Sequence, residues 1–214
     1  MYISLLKSFR ILLFLVISPA AVADYKDGTE LTLFPIPEHG EIVFEVPQDW
    51  DYTYVAAGLT AKPPVITFFT EDESGREVFQ LNVSILWDDG YARNILEEKS
   101  IQQLVRDVGE DILPFSDETD LQLERIIGQE GLGYIFSLTD SSARPGEYRY
   151  LTQGALSVGE VLLVFSLFSN DREGQLRENT LEMIKTALHK IQHHVQNLLP
   201  QTETRIISLK EVPA

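Results

Sequence analysis

The stretch that decides the fold is Val161-Leu162-Leu163-Val164-Phe165-Ser166-Leu167-Phe168. Successive side chains of a β-strand point to opposite faces of its sheet, and both alternating rows of this stretch are apolar. Such a strand is stable where other layers cover its sheet on both sides. The sequence therefore predicts an α+β fold in which a mainly antiparallel sheet lies between helices or other layers.

Eight further segments have the composition of strands, and residues typical of turns separate them. In chain order they cover residues 31–34, 42–46, 52–57, 65–70, 78–87, 121–127, 132–138 and 148–156. Asp72-Glu73-Ser74-Gly75 predicts a hairpin turn, and Arg144-Pro145-Gly146 predicts another. Short connections of this kind favour antiparallel pairing between strands that follow each other in the chain.

The predicted strand over residues 78–87 alternates between apolar and polar side chains, which is typical of a half-buried strand. Its apolar side consists of Phe79, Leu81, Val83, Ile85 and Trp87. Its polar side consists of Gln80, Asn82 and Ser84. These three polar side chains either line a binding groove or form an ordinary solvent-facing side of a sheet, and both interpretations stay open.

Two helices are predicted. Ser100 and Gln103 fit a capping box at the start of the first helix, and Pro114 limits it. Its apolar stripe consists of Ile101, Leu104, Val105, Val108 and Ile112. The second helix is expected to begin near residues 170–173, to carry an apolar stripe as far as about residue 199, and to end before Pro200.

The N-terminal residues have the three-part pattern of a secretory signal peptide. Lys7 and Arg10 precede an apolar run at residues 11–17, and Ala21-Val22-Ala23 fits a cleavage site before Asp24. We therefore expect an extracytoplasmic protein, periplasmic or secreted, that is cleaved after Ala23. The apolar run is shorter than the roughly 20 residues that span a bilayer. The chain has no cysteine, which excludes lipid attachment at the cleavage point.

The expected organisation follows from this N-terminal pattern and from the predicted elements. It comprises a signal peptide (1–23), an N-terminal leader (24–39), a single α+β domain (40–199) and a C-terminal tail (200–214). A single domain is consistent with the length of the chain, because domains usually hold about 100–200 residues.

The charge of the chain restricts its partners. The formal net charge is −16, and removal of residues 1–23 leaves 15 Lys and Arg against 33 Asp and Glu, a formal charge of −18. This charge disfavours nucleic acid and anionic lipid head groups, since phosphates bind to clustered Lys and Arg. Cationic proteins and divalent metals are compatible with it, and so is a negative charge that serves only solubility.

No catalytic motif is found in the sequence. The chain has no cysteine nucleophile, no G-x-S-x-G elbow and neither of the two common glycine-rich phosphate loops. A hydrolase of another type needs two converging carboxylates, and no such pair can be identified. We therefore predict a protein that is not an enzyme and that uses no cofactor.

Metal binding is the alternative that the sequence leaves open. His189 and His193 are four residues apart, so a helix places them on one face, as zinc sites require. A third ligand cannot be identified, and histidines near a helix C-terminus also serve to complement the helix dipole. Acidic groups at residues 88–89, 107–111 and 117–120 attract cations weakly, but none has the spacing of an EF-hand loop.

Several short motifs occur in a distinctive order along the chain. Phe44-Glu45-Val46-Pro47-Gln48-Asp49-Trp50 comes first, followed by Ile101…Leu104-Val105, by Gly131-Leu132-Gly133-Tyr134, by the strand at 161–168 and by a closing helix. This order resembles the PsbP/Mog superfamily, including the DcrB-like extracytoplasmic proteins of bacteria, over about residues 40–192.

The resemblance implies α/β/α layers, in which an antiparallel sheet lies between two layers of helices. It also implies accessory work such as subunit docking, assembly support or chaperone-like binding, without catalysis and without catalytic residues. One feature departs from the DcrB-like lipoproteins, because the chain lacks the cysteine to which their lipid is attached.

Our leading hypothesis is a soluble, secreted or periplasmic accessory protein that binds another protein or a peptide through its sheet face or an edge groove. The expected contact residues are Gln80, Asn82 and Ser84, with Trp50 and Trp87 as aromatic anchors. A tryptophan is also common in a protein core, so a core role for these two stays open. The alternative is an extracytoplasmic divalent-metal-binding protein that uses His189 and His193 or the acidic loops.

Overall fold

The structure is a computed structural model that describes residues 28–56, 63–88 and 94–191. Within these ranges the chain forms ten strands, two α-helices and a 3-10 turn at Leu113–Phe115. The strands are β1 (Thr29–Ile36), β2 (Gly40–Pro47), β3 (Asp51–Val55), β4 (Val65–Glu71), β5 (Glu77–Trp87), β6 (Glu124–Ile127), β7 (Leu132–Thr139), β8 (Tyr150–Val158), β9 (Val161–Ser169) and β10 (Leu188–Lys190). The helices are α1 (Glu98–Ile112) and α2 (Gln175–Thr186).

The strands form two antiparallel sheets. The larger sheet has seven strands in the order β3-β4-β5-β9-β8-β7-β6, and the smaller sheet has three in the order β1-β2-β10. The decisive stretch of the sequence forms β9, which is the central strand of the larger sheet. β9 pairs with β5 on one side and with β8 on the other, and these two pairings join the two halves of the sheet.

One face of β9 is buried along the whole strand, and the other face is buried at Leu162 and only half-buried at Val164, Ser166 and Phe168. On one face Leu163 and Phe165 lie in a core that the smaller sheet and α2 close. On the other face Leu162 packs in a second core beneath α1, together with Ile101 and Val105 of that helix. The α+β fold class is therefore confirmed. The layer opposite α1 consists of the smaller sheet together with α2 rather than of helices alone.

The smaller sheet can act as a covering layer because its first two strands are amphipathic. Their inward side chains are almost fully buried against the larger sheet: Phe34, Ile36, Ile42, Phe44 and Val46. Residues 29–36, which lie in the expected N-terminal leader, form β1 and pair with β2 along its whole length. The folded part of the chain therefore begins before Gly40, while residues 1–23 and 200–214 lie outside the described residues.

α1 begins earlier than the predicted capping box requires. Its N-cap is Glu97, and the Glu97 N–H donates to Asn94 O in a turn that precedes the helix. Ser100 therefore lies inside the first turn, and the side chain of Gln103 donates to Asp107 instead of capping the helix. The predicted end is confirmed, because Pro114 falls in the 3-10 turn that follows α1.

α2 is much shorter than predicted. The backbone leaves the helix at Ala187, whose ψ of 140° is extended, and residues 188–190 then pair with β2 as strand β10. The apolar residues at 188 and 191 fit a helical stripe in the sequence. In the structure, residues 188–190 instead pair with the edge of β2 that β1 does not occupy. Within the described ranges, neither helix is long and apolar enough to cross a membrane.

Candidate functional site

α1 covers only part of the larger sheet, since it packs on β7 and β8. The same face of β3, β4, β5 and the adjoining ends of β8 and β9 is partly exposed to solvent. We call this region the open face. The strand register places five uncharged polar side chains side by side across it. This polar row consists of Thr53, Thr67, Asn82, Ser166 and Gln153 on five consecutive strands.

Asn82 occupies the centre of the polar row. Its side-chain oxygen accepts a hydrogen bond from Thr67 Oγ1 at 2.9 Å and another from Gln80 Nε2 at 3.1 Å. These two bonds fix the orientation of the amide, because its oxygen faces the neighbouring strand. Among the described residues the Asn82 amide nitrogen has no hydrogen-bond acceptor, so it can donate to an incoming group.

A second row runs beside the polar row and is mostly apolar. The row begins at the exposed Asp51 on β3, which pairs with Phe69 on β4. Phe69 pairs with Gln80, Gln80 with Phe168 on β9, and Phe168 with Leu151 on β8. Consecutive side chains on one face of a strand are separated by about 7 Å, so this apolar row lies directly next to the polar row.

The apolar row ends in a cleft at the C-terminal end of α1. The cleft has a volume of about 220 Å³ and lies between α1, the 3-10 turn, and strands β7, β8 and β9. We call it the Phe115 cleft. Its apolar lining consists of Ile112, Phe115, Leu138, Tyr148, Leu151 and Phe168. Phe168 and Leu151 belong both to the cleft and to the apolar row, so the cleft and the open face form one continuous surface.

Phe115 is the most exposed large apolar side chain of the described residues, with 70 % of its surface accessible. Its backbone is nevertheless held in place, because Phe115 O accepts hydrogen bonds from Ser141 N at 3.2 Å and Ser141 Oγ at 2.9 Å. Sequence reasoning missed this residue. The available signal was an aromatic residue directly after the proline that ends a helix and before an acidic segment.

Glu118 links the segment that follows the 3-10 turn to β7 by hydrogen bonds, beside the Phe115 cleft. Its carboxylate accepts hydrogen bonds from Thr139 N and Thr139 Oγ1, both at 2.8 Å, and pairs with Arg172 at 3.0 Å. Partial burial raises the pKa of this carboxyl. The hydrogen bonds from Thr139 and the Arg172 charge outweigh that effect and leave the pKa of Glu118 below its usual value.

We expect Glu118→Gln to lower the free energy of unfolding by about 1–3 kcal/mol at pH 7, because a charged hydrogen-bond acceptor is lost. The folded-state pKa of Glu118 is depressed, so its contribution is fully present above the unfolded-state pKa of about 4.3 and is lost as the pH falls through the folded-state value. Urea unfolding between pH 3 and 7 should show the two proteins converging at the acidic end. A difference in the free energy of unfolding between the two proteins that is as large at pH 3 as at pH 7 would contradict this expectation.

Glu110→Gln is the matched control for this measurement. Glu110 lies on the exposed side of α1 and approaches Arg106 at only 4.0 Å. Exposed ion pairs contribute little, so we expect a change within about 0.5 kcal/mol at every pH.

The structure brings only three of the predicted contact residues together. Gln80, Asn82 and Ser84 are half-buried side chains of the open face. Trp50 is only 8 % exposed and packs on Phe79, with 4.6 Å between ring centroids. This corrects the grouping of the tryptophans with the polar side chains, because Trp50 is a core residue.

Trp87 also lies on the core side of the larger sheet, where it packs against the main core. Its ring contacts the His39 ring, with 4.5 Å between centroids. The alternation of β5 explains this position, since odd-numbered residues of the strand face the core and even-numbered ones face the open side.

His189 is not placed on a helix. His189 lies in β10, where Glu160 N donates to its Nδ1 at 3.2 Å and its Nε2 lies 2.7 Å from His39 O. Both ring nitrogens therefore have backbone partners, and His193 lies outside the described residues. Across the residues that the structure describes, no three His, Cys, Asp or Glu side chains converge as a metal ion requires.

Comparisons with known proteins are limited to likeness of fold. No family model matches the chain, and no curated protein matches its sequence. The chain is similar to a solved structure from Bacteroides thetaiotaomicron, with 13 % identity, a TM-score of 0.47, and coverage of 77 % of this chain and 50 % of that one. This chain thus spans about half the length of that protein.

The chain is also similar to the solution structure of a cyanobacterial PsbP, CyanoP, from Synechocystis sp. PCC 6803. The identity is 12 % and the TM-score is 0.47, and the match covers 82 % of this chain and 99 % of CyanoP. This likeness concerns the fold alone.

Proposed function

We propose that this chain is a non-enzymatic accessory protein that acts outside the cytoplasm and binds a segment of another protein on its open face. The observation that carries the proposal is the polar row, which crosses five strands without a charged side chain in a chain of net charge −16. Residues 1–23, which have the pattern of a signal peptide, support the location.

The chemistry of the open face favours a protein partner. Its polar row offers hydroxyl and amide groups, and its apolar row offers two phenylalanine rings, Phe69 and Phe168. Depletion of charge and enrichment in aromatic residues are typical of the buried centre of protein–protein interfaces. A partner that is uncharged where it contacts the polar row is favoured, because a charge placed on that row would lose its water without gaining an ion pair.

The bonds within the polar row favour binding at a low entropic cost. Asn82 is already oriented by Thr67 and Gln80 before any partner arrives. Ordering a mobile side chain costs about 0.5–1.5 kcal/mol on association, and a side chain that is already fixed avoids much of this cost.

The proposal is tested with a display library of random 12-residue peptides. The protein is purified from the extracytoplasmic fraction of its own cells. Its intact mass should equal that of a chain that begins at Asp24. Peptides selected on it are then measured against variants by fluorescence polarisation. We expect Asn82→Lys to weaken binding at least tenfold, which corresponds to about 1.4 kcal/mol. The lysine removes the acceptor of Thr67 and Gln80 and places a charge in the centre of the open face.

Asn179→Lys is the matched control, because Asn179 is a half-exposed asparagine on α2, which covers the other face of the sheet. We expect its affinity for the same peptides to stay within twofold. Selection of no peptide, or equal effects of the two substitutions, would overturn the proposal.

A further inference from the structure

We infer that the Phe115 cleft receives one large apolar side chain, aromatic or branched aliphatic, from the protein segment that binds the open face. The inference rests on the proposed function and deepens it, since it assigns the partner a sequence character. The bound segment carries one apolar anchor followed within a few residues by uncharged polar residues.

The volume of the cleft fits one such side chain. A cavity of about 150 Å³ lined by apolar side chains accommodates a benzene ring, and the Phe115 cleft measures about 220 Å³. It has room for one ring or one branched aliphatic group together with its connecting methylene. Its walls come from a helix end, a turn and three strands, so an anchor is contacted from several sides.

The wall that Phe115 forms is exposed and yet fixed. Its backbone carbonyl is held by Ser141, and the backbone of the same segment is tied to β7 because Asp117 N donates to Thr139 O at 2.9 Å. Aromatic side chains, phenylalanine among them, are enriched at protein–protein interfaces relative to the rest of the surface.

The charged groups at the rim of the cleft do not favour a charged anchor. Arg149 is paired with Asp117 at 3.6 Å, and both side chains are about half exposed. Asp140 accepts hydrogen bonds from Ser142 N at 2.7 Å and Ser142 Oγ at 3.0 Å. The floor between these groups is formed by Leu138 and Leu151, which attract an apolar group rather than a charged one.

The position of the cleft sets the spacing within the partner. Phe168 lines the cleft, and Ser166 of the polar row lies two residues away on the same face of β9. The two positions are therefore about 7 Å apart, which an extended peptide spans with two residues. A peptide anchored in the cleft thus reaches Ser166 and Asn82 with residues two to four positions from its anchor.

The test uses the selected 12-residue peptides, the full chain and two variants. We expect the peptides to share one Phe, Tyr, Trp, Leu or Ile within four residues of Asn, Gln, Ser or Thr. Phe115→Ser and replacement of the peptide's anchor by alanine should each weaken binding about tenfold. Combined, they should weaken it little more than either alone, because both remove the same contact.

Ile127→Ser is the matched control, since Ile127 is 66 % exposed on β6 and does not line the cleft. We expect it to leave affinity within twofold. If Asn82→Lys abolishes binding while Phe115→Ser has no effect, the cleft inference is overturned and the proposed function stands. If sedimentation shows a dimer that Phe115→Ser dissociates, the anchor comes from a second copy, which also overturns the inference.

Discussion

Phe68→Ala is expected to lower the free energy of unfolding by about 3–5 kcal/mol, the range for truncating a fully buried phenylalanine. Phe68 is 0 % exposed and lies on β4 of the larger sheet. Its ring centroid lies 5.9 Å from those of both Phe34 and Phe44 in the smaller sheet and 6.4 Å from that of Trp50. The substitution leaves a cavity where the two sheets meet, and urea unfolding at pH 7 measures its cost.

Phe69→Ala is the control, because Phe69 is the next residue of the same strand and lies on the open face. It is only half-buried, so we expect a cost of about 1 kcal/mol or less. Equal costs for the two substitutions would contradict the described packing, in which β4 turns one face to the smaller sheet and the other to solvent.

Gly154→Ala is expected to cost about 3 kcal/mol, at the upper end of the range for overpacking a core. Gly154 lies on β8, and a β-carbon there would overlap Ile135 Cγ2 and the backbone oxygen of Tyr134 on β7. A side chain can rotate away from such an overlap, but a backbone oxygen within the paired strands β7 and β8 cannot. Thermal unfolding followed by circular dichroism measures the loss.

Gly75→Ala is the control for Gly154→Ala, because it introduces backbone strain without an overlap between atoms. Gly75 has a φ of +78°, and nothing lies within 4 Å of the position of an added β-carbon. Only the left-handed backbone conformation is then penalised, at about 1–2 kcal/mol. A larger cost for Gly75→Ala than for Gly154→Ala would contradict the close approach of β7 and β8.

The strands could be predicted because their signal is local. The alternation over residues 78–87 and the apolar character of both faces over residues 161–168 specify β5 and β9 without knowledge of their neighbours. The end of the second helix could not be predicted in this way. Leu188 and Ile191 fit a helical stripe, but residues 188–190 pair with β2, a segment far away in the chain.

The candidate site could be predicted only in part. Gln80, Asn82 and Ser84 follow from the alternation of one strand. Thr67, Ser166 and Gln153 join them only through the register of pairings between β4, β5, β9 and β8. That register depends on side-chain packing between segments far apart in the chain, for which a single sequence carries no direct signal. Chemistry alone groups the two tryptophans with these residues, whereas the pleat of β5 places Trp87 on the other side of the sheet and Trp50 lies in the core.

The central claim is that the open face is the binding surface of this protein. The most direct measurement is a titration of the ¹⁵N-labelled protein with the selected 12-residue peptide that binds most tightly. NMR records the backbone amide chemical shifts at each step of the titration. We predict that the largest changes fall at residues 80–84, at Ser166 and Gln153, and at Phe115. Changes confined to β1, β2 and α2, with the amides of the polar row unmoved, would contradict the claim.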